Sequence, residues 1–267
     1  MAADLTQRVT ISVVNDIADV RFNRADKLNA LDTAQFESIA GAIDELAAMK
    51  GVRCVVLSGE GRGFCAGIDL ENLAGNPAPD PLETRTHGIA NIFQHVAWGW
   101  RELPMPVIAA VHGFALGGGF QIMLGADIRI AAPETQFSVM EARWGICPDM
   151  GGIALLRGLV RDDVARELAY TARKFDGAEA LQLGVVTRLA DDAYAAAMAL
   201  AQTIAAQSPT VIRADKRLFN LALDGAANAE TILLAEAHEQ TALIKSAGHR
   251  ETIMAHLEKR TPVFKDD

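Results

Sequence analysis

The spacing of hydrophobic residues changes character along the chain. Up to about residue 190, short apolar runs alternate with amphipathic stretches of helical spacing. Asn15 and Asp16 predict a hairpin turn between the first two runs, and Asp32 is the expected N-cap of the first helix. Strands that alternate with helices indicate an α/β fold with buried sheets. The predicted strands are 9–14, 18–22, 52–57, 107–111, 127–131 and 135–138, and the predicted helices are 33–49 and 83–103.

After about residue 190 the pattern predicts helices alone. Helical spacing extends over 191–207, 209–223, 226–244 and 249–259, and no strand pattern interrupts it. We therefore divide the chain into an α/β core, residues 1–190, and a helical C-terminal region, residues 191–267. Helices appended in this way form either an oligomer contact or a layer packed on their own core, and the pattern is compatible with both.

Composition narrows the class of protein. Half of the 267 residues are hydrophobic, and no apolar run reaches the roughly 18 residues of a membrane span. The net charge of −9, without a basic cluster, argues against nucleic acid as a partner. The three cysteines have no metal-binding spacing, and the start of the chain has no signal-peptide pattern. We therefore expect a cytoplasmic protein without a membrane segment or a metal.

Two glycine-containing loops follow predicted strands. One is 61–70 (GRGFCAGIDL), and the other contains Gly117, Gly118 and Gly119 in front of an apolar helix. Each loop can leave backbone N–H groups unpaired, and two such groups can hold the oxygen of a thioester carbonyl as it becomes an enolate. Close packing of a helix on a strand also explains the glycines, so both interpretations stay open. Neither the P-loop nor the dinucleotide-binding spacing is present.

Three motifs, in this order, resemble the crotonase superfamily, the enoyl-CoA hydratase/isomerase family. They are 64–70 (FCAGIDL), 106–113 (PVIAAVHG) and 115–119 (ALGGG). The resemblance extends from 23–31 (NRADKLNAL), where Ala25 replaces the family's usual proline, to 258–264 (EKRTPVF). It implies a spiral of ββα units and a helical C-terminal region that mediates homotrimers, which commonly pair as hexamers. It also implies an acyl-CoA thioester substrate, with coenzyme A as part of that substrate and no separate cofactor.

The resemblance also implies the position of the substrate. The two N–H groups that hold the thioester oxygen fall on Ala66 and Gly118. The stretch that begins at Lys27 and the backbone of Ile68 would line the coenzyme A part, and Asp69 would shape its loop. The expected substrate-binding residues are Lys27, Leu28, Ala30, Ala66, Gly67, Ile68, Asp69, Leu70, Gly117 and Gly118.

Proton transfer requires carboxylates beside the acyl chain. Enoyl-CoA hydratases of this family use two glutamates, and the first position is Gln121 here, whose amide cannot exchange a proton at neutral pH. The second falls on Glu141, and Asp149 occupies a position where some isomerases and hydrolases of the superfamily have an aspartate. We expect Glu141 and Asp149 to be the acid–base pair. Asp149 could instead cap a helix that begins near Met150, and Gln121 could orient water or Glu141.

These residues are compatible with four functions, of which an isomerase is the leading hypothesis. One acid–base carboxylate can move a double bond of an enoyl- or dienoyl-CoA, whereas hydration normally requires two. The alternatives are a 2-enoyl-CoA hydratase that uses Glu141 and Asp149, a 3-hydroxyacyl-CoA thioester hydrolase, and a non-catalytic acyl-CoA-binding protein. Trp98 and Trp100 would line either the acyl pocket or the core.

Overall fold

Two sheets organise the fold. The computed structural model describes residues 7–69 and 81–265. The strands are β1 Val9–Val14, β2 Ile17–Phe22, β3 Cys54–Gly59, β4 Val107–Val111, β5 Phe114–Leu116, β6 Ile128–Ala131, β7 Gln136–Ser138 and β8 Arg188–Leu189. Six of them form one sheet in the order β1-β2-β3-β4-β6-β8, while β5 and β7 form a small second sheet. Apart from the antiparallel pair β1 and β2, the pairings are parallel. The prediction of an α/β fold is confirmed.

The helices lie between these strands and after them. They are α1 Thr33–Ala48, α2 Ile92–Glu102, α3 Gly118–Leu124, α4 Gly152–Leu156, α5 Asp162–Thr171, α6 Gly177–Leu183, α7 Ala193–Ala205, α8 Pro209–Ala222, α9 Ala229–Ile244 and α10 Ala247–Glu258. Short 3-10 turns occur at Ala25–Lys27 and Glu141–Trp144. The four predicted C-terminal helices are confirmed, whereas α5, α6, β5 and β8 are additions that the pattern did not predict.

Two local predictions near the start of the chain are confirmed by backbone geometry. β1 and β2 pair in register from Val9 opposite Phe22 to Val14 opposite Ile17. The turn residues between them, Asn15 and Asp16, have φ of 52° and 64°. Two central residues with positive φ are typical of the tight turn that matches strand twist, and Asn and Asp tolerate this conformation. The Asp32 side chain accepts a hydrogen bond of 2.8 Å from the Gln35 N–H, as expected of an N-cap.

One helix is shorter than the sequence pattern predicts. The stretch 83–103 contains α2 alone, because residues 81–90 form turns and a bridge between His87 and Ala90. The helix starts at a capping box in which Asn91 and Gln94 each accept from the other's backbone N–H. This Asn-x-x-Gln signal is present in the sequence and locates the helix start better than apolar spacing does. The prediction of a helix from residue 83 is therefore wrong.

Both faces of the large sheet are covered, as expected for a parallel sheet. Along β3, Val55 and Leu57 face a core that contains α1, α2 and α3, whereas Cys54 and Val56 face the opposite side. On that opposite side α7 presents a row of buried alanines at intervals of four residues, which lets the helix lie close to the sheet. These alanines are Ala193, Ala197, Ala201 and Ala205. Thus α7 is a layer of the core, whereas α9 buries none of its residues in the described chain.

A buried lysine anchors α8 to the core. The Lys216 ammonium donates to the carbonyl oxygens of Trp100 and Met105, at 3.1 and 2.9 Å, and to the Asp127 carboxylate at 2.8 Å. Burial lowers the pKa of Lys216, and the nearby Asp127 acts in the opposite direction. All three ammonium hydrogens have acceptors, so the charge can be accommodated in the interior. The contact connects α8 to the end of α2 and to the segment between α3 and β6.

Candidate active site

Two backbone segments meet at the centre of the site. The loop after β3 is bridged to β5 at Cys65 and Ala115. A Cβ atom at Gly119 would lie 2.4 Å from the Cys65 carbonyl oxygen, and one at Gly67 would lie 2.6 Å from that of Leu116. Gly67 also has φ of 88°, a value that favours glycine. The packing explanation therefore holds for these two glycines, which bring the loop and the start of α3 into contact.

The middle glycine of the triple, Gly118, also has an N–H group without an acceptor in the described chain. Gly118 is the first residue of α3, and it has no intrahelical acceptor. Its N–H makes no hydrogen bond to any residue within 7–69 or 81–265. Gly117, the N-cap, has φ of 51° and ψ of −120°, so the chain turns sharply into the helix. A Cβ atom at Gly67 would lie 3.5 Å from the Gly118 nitrogen, which places this nitrogen beside the facing loop.

The facing loop offers a second unpaired N–H group, on Ile68. Ile68 forms a parallel bridge with Leu31. In this bridge the Gly67 carbonyl accepts from the Leu31 N–H at 2.8 Å, and the Asp69 N–H donates to the Leu31 carbonyl at 2.9 Å. In a parallel bridge of this kind Leu31 bonds to the residues before and after Ile68, and Ile68 itself makes neither bond. The N–H of Ile68 therefore faces away from Leu31. In the described part of the chain this N–H has no acceptor.

The predicted donor Ala66 is not available for a ligand. Its N–H donates to the Leu28 carbonyl at 3.1 Å. This hydrogen bond contradicts the assignment of Ala66 as an oxyanion donor, and in this loop it is the Ile68 N–H that is left without an acceptor in the described chain. The left-handed Gly67 interrupts the extended backbone between them, so the N–H groups of Ala66 and Ile68 have different surroundings. The sequence motif alone does not show which of these two N–H groups already donates a hydrogen bond within the protein.

The Gln121 amide links the Glu141 carboxylate to the backbone that follows Asp149. Its Nε2 donates to Glu141 Oε1 at 2.5 Å, and its Oε1 accepts from the N–H groups of Met150 and Gly152, both at 3.0 Å. The side chain is buried, so all these bonds lie inside the protein. An amide supplies both a donor and an acceptor, whereas a carboxylate has no hydrogen to give to Glu141. This explains why an amide suits this position.

Glu141 is a buried carboxylate with one oxygen unpaired. It is 5% exposed, and its Oε2 has no hydrogen-bond partner in the described ranges. Burial raises the pKa of Glu141, and the nearby Asp149 raises it further, while the hydrogen bond from Gln121 acts in the opposite direction. An unpaired buried carboxylate oxygen is costly and marks a group that can accept a proton.

Asp149 lies in the same cavity as Glu141 and does not cap a helix. The helix after it, α4, has Gly151 as its N-cap and no side-chain capping bond. The N–H of Gly152 at its first position is paired with Gln121 instead. The alternative of a helix-capping Asp149 is therefore wrong. Partial burial raises the pKa of Asp149, which favours a carboxyl group that can exchange protons nearer to neutral pH.

The predicted substrate and acid–base residues surround one cavity of about 370 Å³. Of these predicted residues, Leu70 lies outside the described residues. The others line the cavity together: Lys27, Leu28, Ala30, Ala66, Gly67, Ile68, Asp69, Gly117, Gly118, Gln121, Glu141 and Asp149. Residues from four separate segments are thus brought to one place, while their individual roles stay predictions.

Sequence reasoning missed the apolar side of this cavity. Trp98 and Trp100 are absent from its lining, and Trp100 is fully buried in the core. The apolar side chains come from the segment around Glu141 instead. They are Met140, Trp144, Ile146 and Met150. Large apolar residues at irregular spacing beside a candidate catalytic acid are the signal that could have identified them.

A buried arginine, also missed, holds the two substrate loops together. Arg24 Nη1 lies 2.8 Å from Asp69 Oδ2 and donates to the Ala30 carbonyl at 2.9 Å, and Arg24 Nη2 lies 3.1 Å from Asp32. This ion pair agrees with the expectation that Asp69 shapes its loop. The sequence contains a signal for this ion pair, because Arg24 lies in the motif 23–31 and Asp69 lies in the motif 64–70.

No group of three or more His, Cys, Asp or Glu side chains within 7–69 and 81–265 is arranged to hold a metal ion. Within the same ranges, no helix combines the length and the apolar character that a membrane crossing needs.

The fold and the cavity define an α/β protein in which two backbone N–H groups without acceptors in the described chain line one cavity with a buried carboxylate. The family model described as Enoyl-CoA hydratase/isomerase matches residues 13–267. The chain therefore belongs to the enoyl-CoA hydratase/isomerase family, and the resemblance of its motifs to the crotonase superfamily is confirmed. The crystal structure of an enoyl-CoA hydratase from Bacillus anthracis aligns with a TM-score of 0.88 at 29% identity, covering 98% of this chain and 100% of the other.

Relatives with different activities are similarly distant. The human mitochondrial methylglutaconyl-CoA hydratase is 31% identical over 92% of this chain and 72% of its own length. The 1,2-epoxyphenylacetyl-CoA isomerase of Escherichia coli (strain K12) is 30% identical over 94% of this chain and 96% of its own length. Family membership supports an acyl-CoA-transforming enzyme, and the relatives include both hydratases and isomerases.

The buried carboxylate makes stability depend on pH in a defined direction. The pKa of Glu141 is higher in the folded than in the unfolded protein, so the wild type loses stability as pH rises through that range. Glu141→Gln cannot ionise and does not have this loss. We therefore expect the melting temperature of Glu141→Gln minus that of wild type to be larger at pH 8 than at pH 4. Glu37→Gln, which changes an exposed acid on α1, controls for the loss of one charge. If the melting temperatures of Glu141→Gln and wild type differ by the same amount at pH 8 and at pH 4, the raised pKa assigned to Glu141 is contradicted.

Proposed function

We propose that this protein is an isomerase that shifts a double bond of an enoyl- or dienoyl-CoA. The observation that carries the proposal is the hydrogen bonding of Gln121. Both ends of its amide are occupied, by Glu141 on one side and by the N–H groups of Met150 and Gly152 on the other. The side chain therefore has no role as a base and leaves one well-oriented buried carboxylate, Glu141, for proton transfer.

The reaction follows from the two unpaired N–H groups and the carboxylate. The thioester oxygen accepts hydrogen bonds from Gly118 and Ile68. Glu141 removes a proton from a carbon of the acyl chain, and the electron pair of the broken C–H bond delocalises onto the thioester oxygen as a dienolate. The N–H groups stabilise this charge, which is the usual function of an oxyanion hole. A carboxyl group, of Glu141 or Asp149, then returns a proton to a different carbon, so no atom is gained or lost.

A hydratase is the second candidate, and the position of Asp149 supports it. Asp149 lines the cavity with Glu141 and is close enough to raise the pKa of that carboxyl. Two carboxyl groups could handle one water molecule, with Asp149 in place of the family's first glutamate. Thioester hydrolysis and acyl-CoA binding without turnover would use the same cavity, and the assay below separates all four functions.

The first functional test is a panel of 2-enoyl-, 3-enoyl-, 3,5-dienoyl- and 3-hydroxyacyl-CoAs, with products identified by mass and NMR. We expect products of unchanged mass with a moved double bond. Glu141→Gln should retain acyl-CoA binding and lose at least roughly two orders of magnitude in turnover, the usual scale of general acid–base catalysis. Products heavier by one water would establish the hydratase instead, free coenzyme A the hydrolase, and binding without any product the non-catalytic protein.

The second test changes the amide that distinguishes the site. The carboxylate that Gln121→Glu introduces can accept a proton from water. The substitution also removes the hydrogen bond donated to Glu141 and places a second negative charge beside it, which raises the proton affinity of both carboxylates. We expect hydration of a short 2-enoyl-CoA to rise, by about tenfold or less, and isomerisation to fall. Gln121→Met, the matched control, removes the hydrogen bonds without adding an acid and should impair isomerisation without a gain in hydration. Efficient hydration by the wild type and no gain in Gln121→Glu would refute this reading of Gln121.

We also propose that the protein assembles as a homotrimer or a pair of trimers through its C-terminal helices. On α9, Leu233 and Leu234 are 63% and 71% exposed, and on α10 Leu257 is 69% exposed. Large apolar side chains left exposed on neighbouring helices are typical of a surface that another subunit covers. The cytoplasmic location stays a prediction from the sequence.

Sedimentation tests the assembly. The wild type at micromolar concentration should sediment as a trimer or hexamer. Leu234→Glu places a charge on the apolar surface of α9 and should shift the equilibrium toward monomer, whereas Glu236→Gln on the same helix should not. A monomeric wild type would contradict the proposed assembly without affecting the proposed reaction.

A further inference from the structure

We propose that the site accepts acyl groups that are apolar and uncharged and rejects acyl-CoAs that carry a second carboxylate on the acyl chain. The inference rests on the proposed function in one respect, that the cavity binds an acyl-CoA thioester. It concerns the chemical class of the acyl group, which the proposed reaction by itself leaves open.

The geometry defines which end of the cavity receives the acyl chain. The carbons next to the thioester must lie beside the carboxylate that exchanges their protons, and a Cβ atom at Gly117 would lie 3.6 Å from Glu141 Oε1. On the same side, a Cβ atom at Gly118 would lie 2.9 Å from Met150 Sδ. The acyl chain therefore extends from Gly118 toward the segment from Met140 to Met150.

The uncharged side chains of this acyl end are large and apolar. Trp144 and Ile146 line the cavity and are 45% and 44% exposed, whereas Met150 is buried against Gly118. Half-exposed apolar surface in a cavity gains most from an apolar ligand, because both surfaces leave water on binding. An acyl chain with an uncharged end satisfies this requirement.

The charged side chains at the acyl end are both acids. They are Glu141, which is buried, and Asp149, which lines the same cavity and is exposed to solvent. The third acid of the lining, Asp69, is neutralised by Arg24 at 2.8 Å. Among the described lining residues the only cation is Lys27, which lies with Leu28 and Ala30 in the stretch that the family resemblance assigns to coenzyme A.

A second carboxylate on the ligand would therefore enter a cavity end with two acids and no compensating cation. Like charges within a few ångströms of each other in a partly desolvated site repel strongly, and each ionised group raises the proton affinity of the others. The ligand carboxylate would also lose its own hydration. The site thus discriminates by an unfavourable interaction as well as by apolar contact.

Saturated thioesters test this without any turnover by isomerisation or hydration. Pentanoyl-CoA and glutaryl-CoA both have five-carbon acyl groups and differ in a terminal methyl or carboxylate. Isothermal titration at pH 7.5 should show that pentanoyl-CoA binds at least about tenfold more tightly than glutaryl-CoA. Equal or tighter binding of glutaryl-CoA would overturn the inference. Failure of both thioesters to bind would instead refute the proposed acyl-CoA site.

Two variants identify the source of the discrimination. Asp149→Asn keeps the size of the side chain and should improve glutaryl-CoA binding more than pentanoyl-CoA binding. Ile146→Arg supplies the missing cation and should narrow or invert the preference. Glu37→Gln, which removes an exposed acid of α1 outside the cavity lining, should leave the ratio of the two dissociation constants unchanged. If Glu37→Gln changes this ratio as much as Asp149→Asn does, long-range charge rather than the acyl end controls binding, and the inference fails.

Discussion

The close approach of two backbone segments is the constraint on which the rest of the site depends. At Gly119 and Gly67 the loop after β3 and the start of α3 are nearer than any side chain would permit, since added Cβ atoms would lie 2.4 and 2.6 Å from carbonyl oxygens. This contact sets the unpaired N–H of Gly118 beside the loop that carries Ile68. A site built from backbone donors is rigid, because each donor is held by the secondary structure around it. The parallel sheet behind both segments supplies that rigidity.

Gln121 extends this backbone geometry to the side chains. Its amide holds Glu141 through one end and the segment from Met150 to Gly152, next to Asp149, through the other. The Glu141 carboxylate is therefore oriented but poorly solvated, and its Oε2 has no hydrogen-bond partner among the described residues. Such an arrangement lowers the stability of the folded state at neutral pH and at the same time raises the proton affinity of the acid. Stability and reactivity are opposed at this residue for a single reason, which is the loss of water around Glu141.

The helical C-terminal region combines two different situations. The alanine row of α7 packs on the sheet, and Lys216 of α8 is anchored by the end of α2 and by Asp127. In contrast, α9 leaves Leu233 and Leu234 exposed. Packing on their own core, one of the two interpretations that the sequence pattern left open, therefore holds for α7 and α8, whereas an oligomer contact through α9 and α10 stays a proposal. The first helices complete the core of their own chain, while α9 and α10 carry the apolar surface that suits another subunit.

Local patterns were sufficient where neighbouring residues determine the outcome. Asn15 and Asp16 favour positive φ, Asp32 caps the helix that follows it, and buried strands need apolar runs, so these elements could be read from the sequence. The motifs likewise indicated the family and the residues around one cavity. Only the tertiary structure decided that the Ala66 N–H is already paired with Leu28 while the Ile68 N–H has no acceptor among the described residues, and that Gln121 rather than Asp149 binds the N–H of Gly152. Hydrogen-bond partners distant in sequence depend on how segments pack, and no spacing along a single chain records that choice.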